Sequence, residues 1–448
     1  MSDRRQIMEL FEQQRDFSQQ YVANGIEKHR KGDVRILITE NGKPLENAHI
    51  RVAQTSHDFR YGCNLFMLDE LETPEKNARY REIMRTFGNM YTLPFYWDAT
   101  EPRRGETRYH IGSERLYRRP PIDLCLQFCE ENGIEPREHA LAYEYFFPKW
   151  LYNASVDEVK AALEKRYAEI SEMYADKIRT IEVTNEMVHA KGRTAMYEEP
   201  DYVNWCFDLA DKYFPGNQLV INEATRCAWT DCCRTSDKYY AYTEAALLKG
   251  ARIDAIGMQY HMFFRQEDEL ERTRPYYDPR NLVRHMDLYA RLGRPLQITE
   301  VTIPAYTDAP EDEALQAEII TNLFSLWFAH PAVEQIIYWN MIDGYAHLWD
   351  PDPEKIRKSQ GDMTLGENYY RGGLLHFDMS PKPAYFAIRD LFEKQWRTHE
   401  QGTTNAEGCF EFRGFYGEYE AEITTPGGSR TQKIHLSKGA DNEIYIQL

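Results

Sequence analysis

The chain has 448 residues, a formal charge of −18 and 13% aromatic residues, including 31 Tyr and 8 Trp. Its length suits a (β/α)8 barrel of about 250 residues with insertions and a small accessory unit. Net negative charge without a polybasic block excludes nucleic acid and anionic membrane surfaces as partners, and no apolar stretch is long enough for a membrane span or secretory signal. The start Met1-Ser2-Asp3-Arg4-Arg5 leads directly into an amphipathic pattern, which places the protein in the cytoplasm.

Residues 1–32 read as a leader helix, with Ile7, Leu10, Phe11, Phe17, Tyr21 and Ile26 at helical spacing. Residues 33–39 and 48–52 alternate with period two around Asn41-Gly42, a hairpin signal. At the far end, 408–412, 417–423, 431–436 and 443–448 alternate between Gly-rich turns. Two strands from one terminus and four from the other predict a small β-sandwich of 33–56 and 403–448, which resembles immunoglobulin- or transthyretin-like modules. Mutual pairing covers edges that would otherwise invite aggregation. The sandwich can bind carbohydrate, mediate a homo-oligomer or brace the rest of the chain.

Between these ends, over 57–402, short apolar runs alternate with helical patterns, which predicts a parallel sheet closed as a (β/α)8 TIM barrel. Strands are expected to end near Phe66, Phe95, Tyr143, Glu186, Glu223, His261, Glu300 and Asn340. Helices are expected around 74–87, 121–132, 155–175, 199–214, 234–249, 278–292, 311–330 and 383–397.

Two of these strands carry the chemistry. Ile181-Glu182-Val183-Thr184-Asn185-Glu186 and Leu296-Gln297-Ile298-Thr299-Glu300 are apolar runs that stop at a carboxylate, which is how a barrel strand delivers an acid to the mouth. Two carboxylates in one cleft are the minimum equipment for cutting a glycosidic bond: one protonates the leaving oxygen while the other supports the anomeric carbon. His261, ending the strand beside that of Glu300, can hydrogen-bond its carboxylate and help hold it ionised.

At this point the chain resembles glycoside hydrolase family 10, the xylanase family of retaining (β/α)8 enzymes. The resemblance covers roughly residues 57–395. It rests on Trp97-Asp98-Ala99-Thr100-Glu101-Pro102 with Gly105, Arg137-Glu138-His139-Ala140-Leu141, Val183-Thr184-Asn185-Glu186, Gln259-Tyr260-His261, Ile298-Thr299-Glu300, Tyr338-Trp339 with Asp343-Gly344, and Pro381-Lys382-Pro383-Ala384-Tyr385, in that order. The resemblance implies a retaining β-glycosidase, by family default an endo-1,4-β-xylanase acting on xylo-oligosaccharides. Glu186 would be the general acid and base and Glu300 the nucleophile. Asn185 would hold the sugar 2-hydroxyl, Gln259 and His261 would orient the nucleophile and that hydroxyl, and Trp339 would floor the glycone site. Trp97, His139 and Tyr143 are counted with the substrate-binding residues. Retention requires the two carboxyl groups to lie about 5–5.5 Å apart.

Departures from the family pattern bear on substrate choice. Thr92-Leu93-Pro94-Phe95-Tyr96 stands where the family has acidic, amide and lysine contacts to the glycone, and Tyr143-Glu144-Tyr145-Phe146 replaces a Trp-His pair. Glu144 either accepts from sugar hydroxyls or pairs with a nearby cation. Either His347 or Trp349 fills the place of a lid-like tryptophan. Asn222-Glu223 is expected to support the site from behind, Glu182 to bridge to a helix-borne cation, and Glu101 to form a salt-bridge turn with Arg103 and Arg104. The alternatives are an exo-acting or differently selective β-glycosidase and, in another class, a non-catalytic carbohydrate-binding barrel. No cofactor or metal is expected. There is no Gly-rich phosphate loop and no His-Glu-x-x-His helix, and Cys227, Cys232 and Cys233 lack a fourth ligand.

Overall fold

The computed structural model describes residues 3–189, 192–229, 237–349 and 353–448. Cys232 and Cys233 lie outside these residues.

The leader is a 3-10 turn at Asp3–Met8 followed by helices at Glu9–Gln13 and Arg15–His29. The second helix packs on the helix Pro310–Ala329, and Gly25 makes this possible: a Cβ there would sit 2.5 Å from the Ala329 carbonyl oxygen. Arg4 anchors the start. Its Nε and Nη2 donate to the two Glu269 carboxylate oxygens at 2.8 and 3.0 Å, and Nη2 also reaches the Pro304 carbonyl at 2.7 Å.

The sandwich forms from both ends of the chain. One sheet has the order β13 (Cys409–Phe415), β1 (Lys31–Glu40), β16 (Glu443–Gln447), with β2 (Lys43–Pro44) attached to β1. The other has the order β12 (His399–Thr403), β3 (His49–His57), β14 (Gly417–Thr425), β15 (Gly428–Leu436). Inward-facing Val34, Ile36, Ile38, Ile50, Val52, Tyr419, Ile423 and Leu436 are buried, and each Val or Ile so buried contributes about 1.5–3 kcal/mol.

Two expectations change here. The Asn41-Gly42 turn does form, both residues at positive φ, but its hairpin pairs only Thr39 with Pro44 and Glu40 with Lys43. Pro44 brings no N–H to extend the ladder, and the chain crosses to the opposite sheet, where β3 pairs with β12 and β14. The strand β12 was not legible because it is an exposed edge without apolar alternation.

The barrel strands are β4 (Arg60–Asn64), β5 (Met90–Pro94), β6 (Glu135–His139), β7 (Thr180–Asn185), β8 (Gln218–Glu223), β9 (Ala255–His261), β10 (Leu296–Thr302) and β11 (Val333–Tyr338). All are parallel, and they close in sequence order, as a (β/α)8 barrel requires. β6 stops at His139, four residues before the expected end at Tyr143. Helix ends follow local chemistry. Thr73 accepts from the Lys76 N–H ahead of Pro74–Phe87, Ser155 and Glu158 form a capping box for Val156–Tyr174, and Gly133 closes Ile122–Asn132 in the left-handed conformation. Asp343 and Lys382, from two of the resemblance motifs, form a buried ion pair at 3.0 Å that ties the loop after β11 to the last barrel helix. Among the described residues no helix is long and apolar enough to cross a membrane.

Candidate active site

Glu186 follows the last residue of β7, and its φ of +55° turns it off the strand line toward the mouth. A non-glycine residue in that conformation costs about 1–3 kcal/mol, so the surroundings must enforce it. They do so through the backbone. The Glu186 N–H donates to the Asn222 carbonyl at 3.1 Å, and the buried Glu223 carboxylate accepts the Val188 N–H at 2.8 Å.

Glu300 lies within β10 and is 3% exposed. Its Oε1 accepts from Asn222 Nδ2 at 2.9 Å, and its Oε2 lies 3.1 Å from His261 Nε2. The other His261 nitrogen, Nδ1, is 2.9 Å from the Thr302 hydroxyl. A hydroxyl donating to Nδ1 leaves the proton on Nε2, so the imidazole donates to Glu300. Burial lowers His261 to about 4, which keeps it neutral in that tautomer. Burial pushes Glu300 up to about 8; the nearby His139 works against this, and the Glu182 and Glu186 charges work with it. The expectation that donors alone keep Glu300 charged thus meets an opposing cost of desolvation.

Asn222 joins the two carboxylates. The Thr299 hydroxyl donates to its Oδ1 at 2.7 Å, which points Nδ2 at Glu300, at Asn185 Oδ1 (3.0 Å) and at Glu182 Oε1 (3.3 Å). Gly257 on β9 leaves room for it, since a Cβ there would lie 2.4 Å from Asn222 Oδ1. Gln259 Nε2 donates to Asn185 Oδ1 at 3.2 Å and to Glu186 Oε1 at 3.0 Å. Gln259 therefore orients Glu186 and not Glu300, a correction to the expected role. With its oxygen taken by two donors, Asn185 has its amide N–H groups left for a ligand.

Asn185, Glu186, Gln259, His261 and Glu300 line a cavity of about 570 Å3 at the C-terminal end of the barrel strands, together with Tyr96, Tyr143, Phe146, His347 and Trp339. Trp339 packs edge-on against Phe66, His139 and His261. Tyr143 lines the cavity near Glu186, and burial, then the Glu186 charge, pushes its phenol well above the ordinary range. Both expected lid residues are present: His347 sits inside against Phe146, while Trp349 stands on the rim, 61% exposed. A second cavity of about 590 Å3 lies at the opposite end, among strand starts such as Arg60, Glu135, Thr180 and Gln218. Barrel chemistry sits at the C-terminal face, so the first cavity is the candidate site.

Two expected ligand contacts, Glu144 and Trp97, fall elsewhere, and a third, His139, lines the cavity with its nitrogens committed. Glu144 is buried and accepts the Arg193 and Thr194 N–H groups at 2.8 and 3.0 Å and the Thr194 hydroxyl at 2.7 Å. It holds the loop after β7 and does not line the cavity. Trp97 is buried against Phe147 and Trp150 and donates from Nε1 to Glu101 at 2.9 Å, below the mouth. His139 lines the cavity, but both nitrogens are used, Nδ1 by Glu182 at 2.8 Å and Nε2 by the Tyr96 hydroxyl at 3.0 Å. Glu182 pairs with strand-borne Arg137 and His139 inside the barrel, not with a helix; although burial opposes it, these two neighbours hold its carboxyl low. Glu101 accepts from Trp97 and the Gly105 N–H, whereas Arg103 pairs with Glu106.

His139, Glu182 and Glu300 come close enough to share a metal ion. Their donor atoms are already committed, however, and Arg137 places a permanent cation on Glu182, so this cluster is a hydrogen-bonded network. The reading from sequence missed Arg118 and Arg119, on a turn, and Glu367, in the 3-10 helix Gly366–Tyr370, which reach the mouth from outside every motif.

The fold and the site together define a TIM barrel whose paired mouth carboxylates have the layout of a glycosidase. A model for glycosyl hydrolase family 10 matches residues 67–391, and the chain belongs to that family. It is 24% identical over 428 residues to the anti-sigma-I factor RsgI6 of Acetivibrio thermocellus, covering 93% of this chain and 48% of that protein. It is 24% identical over 440 residues to endo-1,4-beta-xylanase 1 of Arabidopsis thaliana, covering 96% of this chain and 40% of that protein. With endo-1,4-beta-xylanase B of Thermotoga neapolitana it shares 25% over 347 residues, 75% of this chain and 88% of that one. The chain thus spans less than half the length of the first two relatives. Among solved structures, native xylanase 10B from Thermotoga maritima matches with a TM-score of 0.57 at 22% identity, over 75% of this chain and 96% of that one. Xylanase 10B from Thermotoga petrophila in complex with xylobiose matches at 0.56, also at 22% identity, over 75% and 95%. At these identities the structural likeness bears on the fold.

Proposed function

We propose that this protein is a retaining β-glycoside hydrolase that cleaves β-1,4-linked xylo-oligosaccharides by double displacement. The observation that carries the reading is the hydrogen-bonded chain from Glu186 through Gln259, Asn185 and Asn222 to Glu300, which fixes two carboxylates around one cavity. Relatives named as xylanases, and a structural neighbour crystallised with xylobiose, support the substrate.

In the first step Glu186 gives its proton to the glycosidic oxygen while Glu300 attacks the anomeric carbon, forming a glycosyl ester as the aglycone leaves. In the second, Glu186 takes a proton from water, whose oxygen displaces Glu300 and restores the carboxylate. Asn185 is positioned to donate to the 2-hydroxyl, Trp339 offers the sugar a ring face, and Asn222 and His261 stabilise the charge on Glu300 before attack and after release. Six described cysteines are unpaired, which suits a reducing cytoplasmic setting and imported oligosaccharides as substrate.

The test is kinetic. Glu300→Ala should lose at least about 10³-fold in turnover on xylo-oligosaccharides and aryl β-xylosides alike while keeping its melting temperature within a few degrees. Glu186→Ala should lose roughly 10²–10⁴-fold on natural oligosaccharides and much less in the first step on substrates with good leaving groups, which need no acid. An active Glu300→Ala enzyme, or a wild type that binds sugar without cutting it, would overturn the proposal.

A further inference from the structure

The chain carries a net −18, yet one wall of its cavity is cationic. Leu116 to Arg119 form a tight turn, with the Arg119 N–H donating to the Leu116 carbonyl at 2.9 Å and Arg118 at a φ of +59°. Both ends are fixed, by the Tyr117 hydroxyl on the Ala346 carbonyl at 3.0 Å and by Pro120-Pro121 ahead of the helix Ile122–Asn132. The turn brings Arg118 and Arg119 to the mouth.

Arg119 lies flat over the Tyr96 ring, its Cζ 3.7 Å from the centroid. The Tyr96 hydroxyl meets His139, and His139 lies within 4.8 Å of a Glu300 carboxylate oxygen. Tyr96 belongs to the segment that stands where the resembled family has its glycone contacts, so Arg119 falls on that side of the cavity. Among the described residues its side chain makes one hydrogen bond, from Nη1 to the Arg118 carbonyl at 3.0 Å, and no carboxylate pairs with it. Burial lowers its guanidinium below the usual range, opposed by Tyr96, Asp98 and Glu367. Arg118 is 4% exposed; Nη1 donates to the Tyr345 carbonyl at 2.6 Å, and Nε has no partner. The histidine beside them, His347, is lowered to about 3 by burial and by these two arginines, so it is neutral and adds no competing charge.

A half-buried guanidinium without a carboxylate is left partly desolvated and unpaired, a ligand can supply the anion, and its planar fork matches a carboxylate in two parallel N–H···O bonds. We propose that the glycone end of the cavity binds a sugar bearing a carboxylate, a uronic acid, through Arg119 with Arg118 behind it. This rests on the glycoside-hydrolase reading and narrows its substrate class.

Two sources of the carboxylate share this chemistry: the sugar being transferred, and a uronate branch on a neighbouring glycone unit. The test compares matched pairs, an aryl β-glucuronide against the aryl β-glucoside, and a xylo-oligosaccharide with a glucuronic acid branch near its non-reducing end against the unbranched one. The methyl ester of each acid is a third arm, equal in shape but uncharged.

One acidic member should exceed its neutral counterpart in kcat/KM by roughly 10- to 100-fold, the worth of a charge-assisted pair, and esterification should erase the advantage. Arg119→Ala should bring the acid-to-neutral ratio close to one, and Arg119→Lys should keep part of it. Equal rates on acid and neutral members in both pairs, or a ratio that survives Arg119→Ala, would overturn the inference. If the wild type cuts nothing, the hydrolase reading fails separately, and NMR titration with glucuronate and glucose decides this one. Tighter glucuronate binding that is lost in Arg119→Ala upholds it, and equal binding removes it.

Discussion

Replacing Glu300 by Gln should make the protein more stable, by an amount that grows with pH. Burial moves the ionisation of Glu300 from 4.5 to about 8 in the folded chain. Between those values the folded protein holds a proton that the unfolded chain releases, so native stability from this group is greatest below pH 4.5 and falls as pH rises, levelling off above about 8. At about 1.4 kcal/mol per pKa unit, the loss is about 3 kcal/mol by pH 7 and between about 4 and 5 kcal/mol above pH 8.

The amide avoids this loss and keeps both contacts. Its oxygen can accept from Asn222, and its NH2 can donate to His261 Nε2 once the imidazole proton moves to Nδ1, facing the Thr302 hydroxyl. Urea unfolding of both proteins at pH 5, 7 and 9 reads the gap directly. Activity should run the other way, since attack needs the ionised carboxylate: kcat/KM on an activated aryl glycoside should fall as pH drops below about 8, where the wild type gains stability. A stability gap that does not change with pH, or one that narrows as pH rises, would refute the reasoning.

Asn222→Ala removes the amide that donates to Glu300, Glu182 and Asn185, leaving a buried carboxylate short of a donor. It should cost about 1–3 kcal/mol in urea unfolding and lower kcat more than it raises KM. Glu144→Ala frees three donors in the loop at Arg193 and Thr194 and should lower stability by about 1–3 kcal/mol. Because Glu144 touches no ligand, the variant should show no change in preference among sugars, and a changed preference in an aryl glycoside screen would return it to the binding site.

The periodicity of the chain is enough to determine the barrel and the origin of the sandwich in both termini, because alternation and helical spacing are local consequences of which face is buried. The acids at 186 and 300 were legible for the same reason, each closing an apolar run at the end where a barrel strand meets solvent. The hairpin at Asn41-Gly42 was half legible. Turn chemistry is local, but the sheet that β3 joins depends on pairing with β12, which carries no apolar signal.

Only the tertiary structure decided which polar groups meet. Gln259 faces Glu186 because β9 lies beside β8 and β10, Glu144 turns to the loop after β7, and Asn222 becomes the hub once Gly257 clears a space for it. Arg119 reaches the cavity from a turn 19 residues past Thr100, the end of the Trp97-Asp98-Ala99-Thr100 run, where nothing in the spacing announces it. Hydrogen bonds and charges act over a few ångströms in space, and residues far apart along the chain share that space only after the barrel has closed.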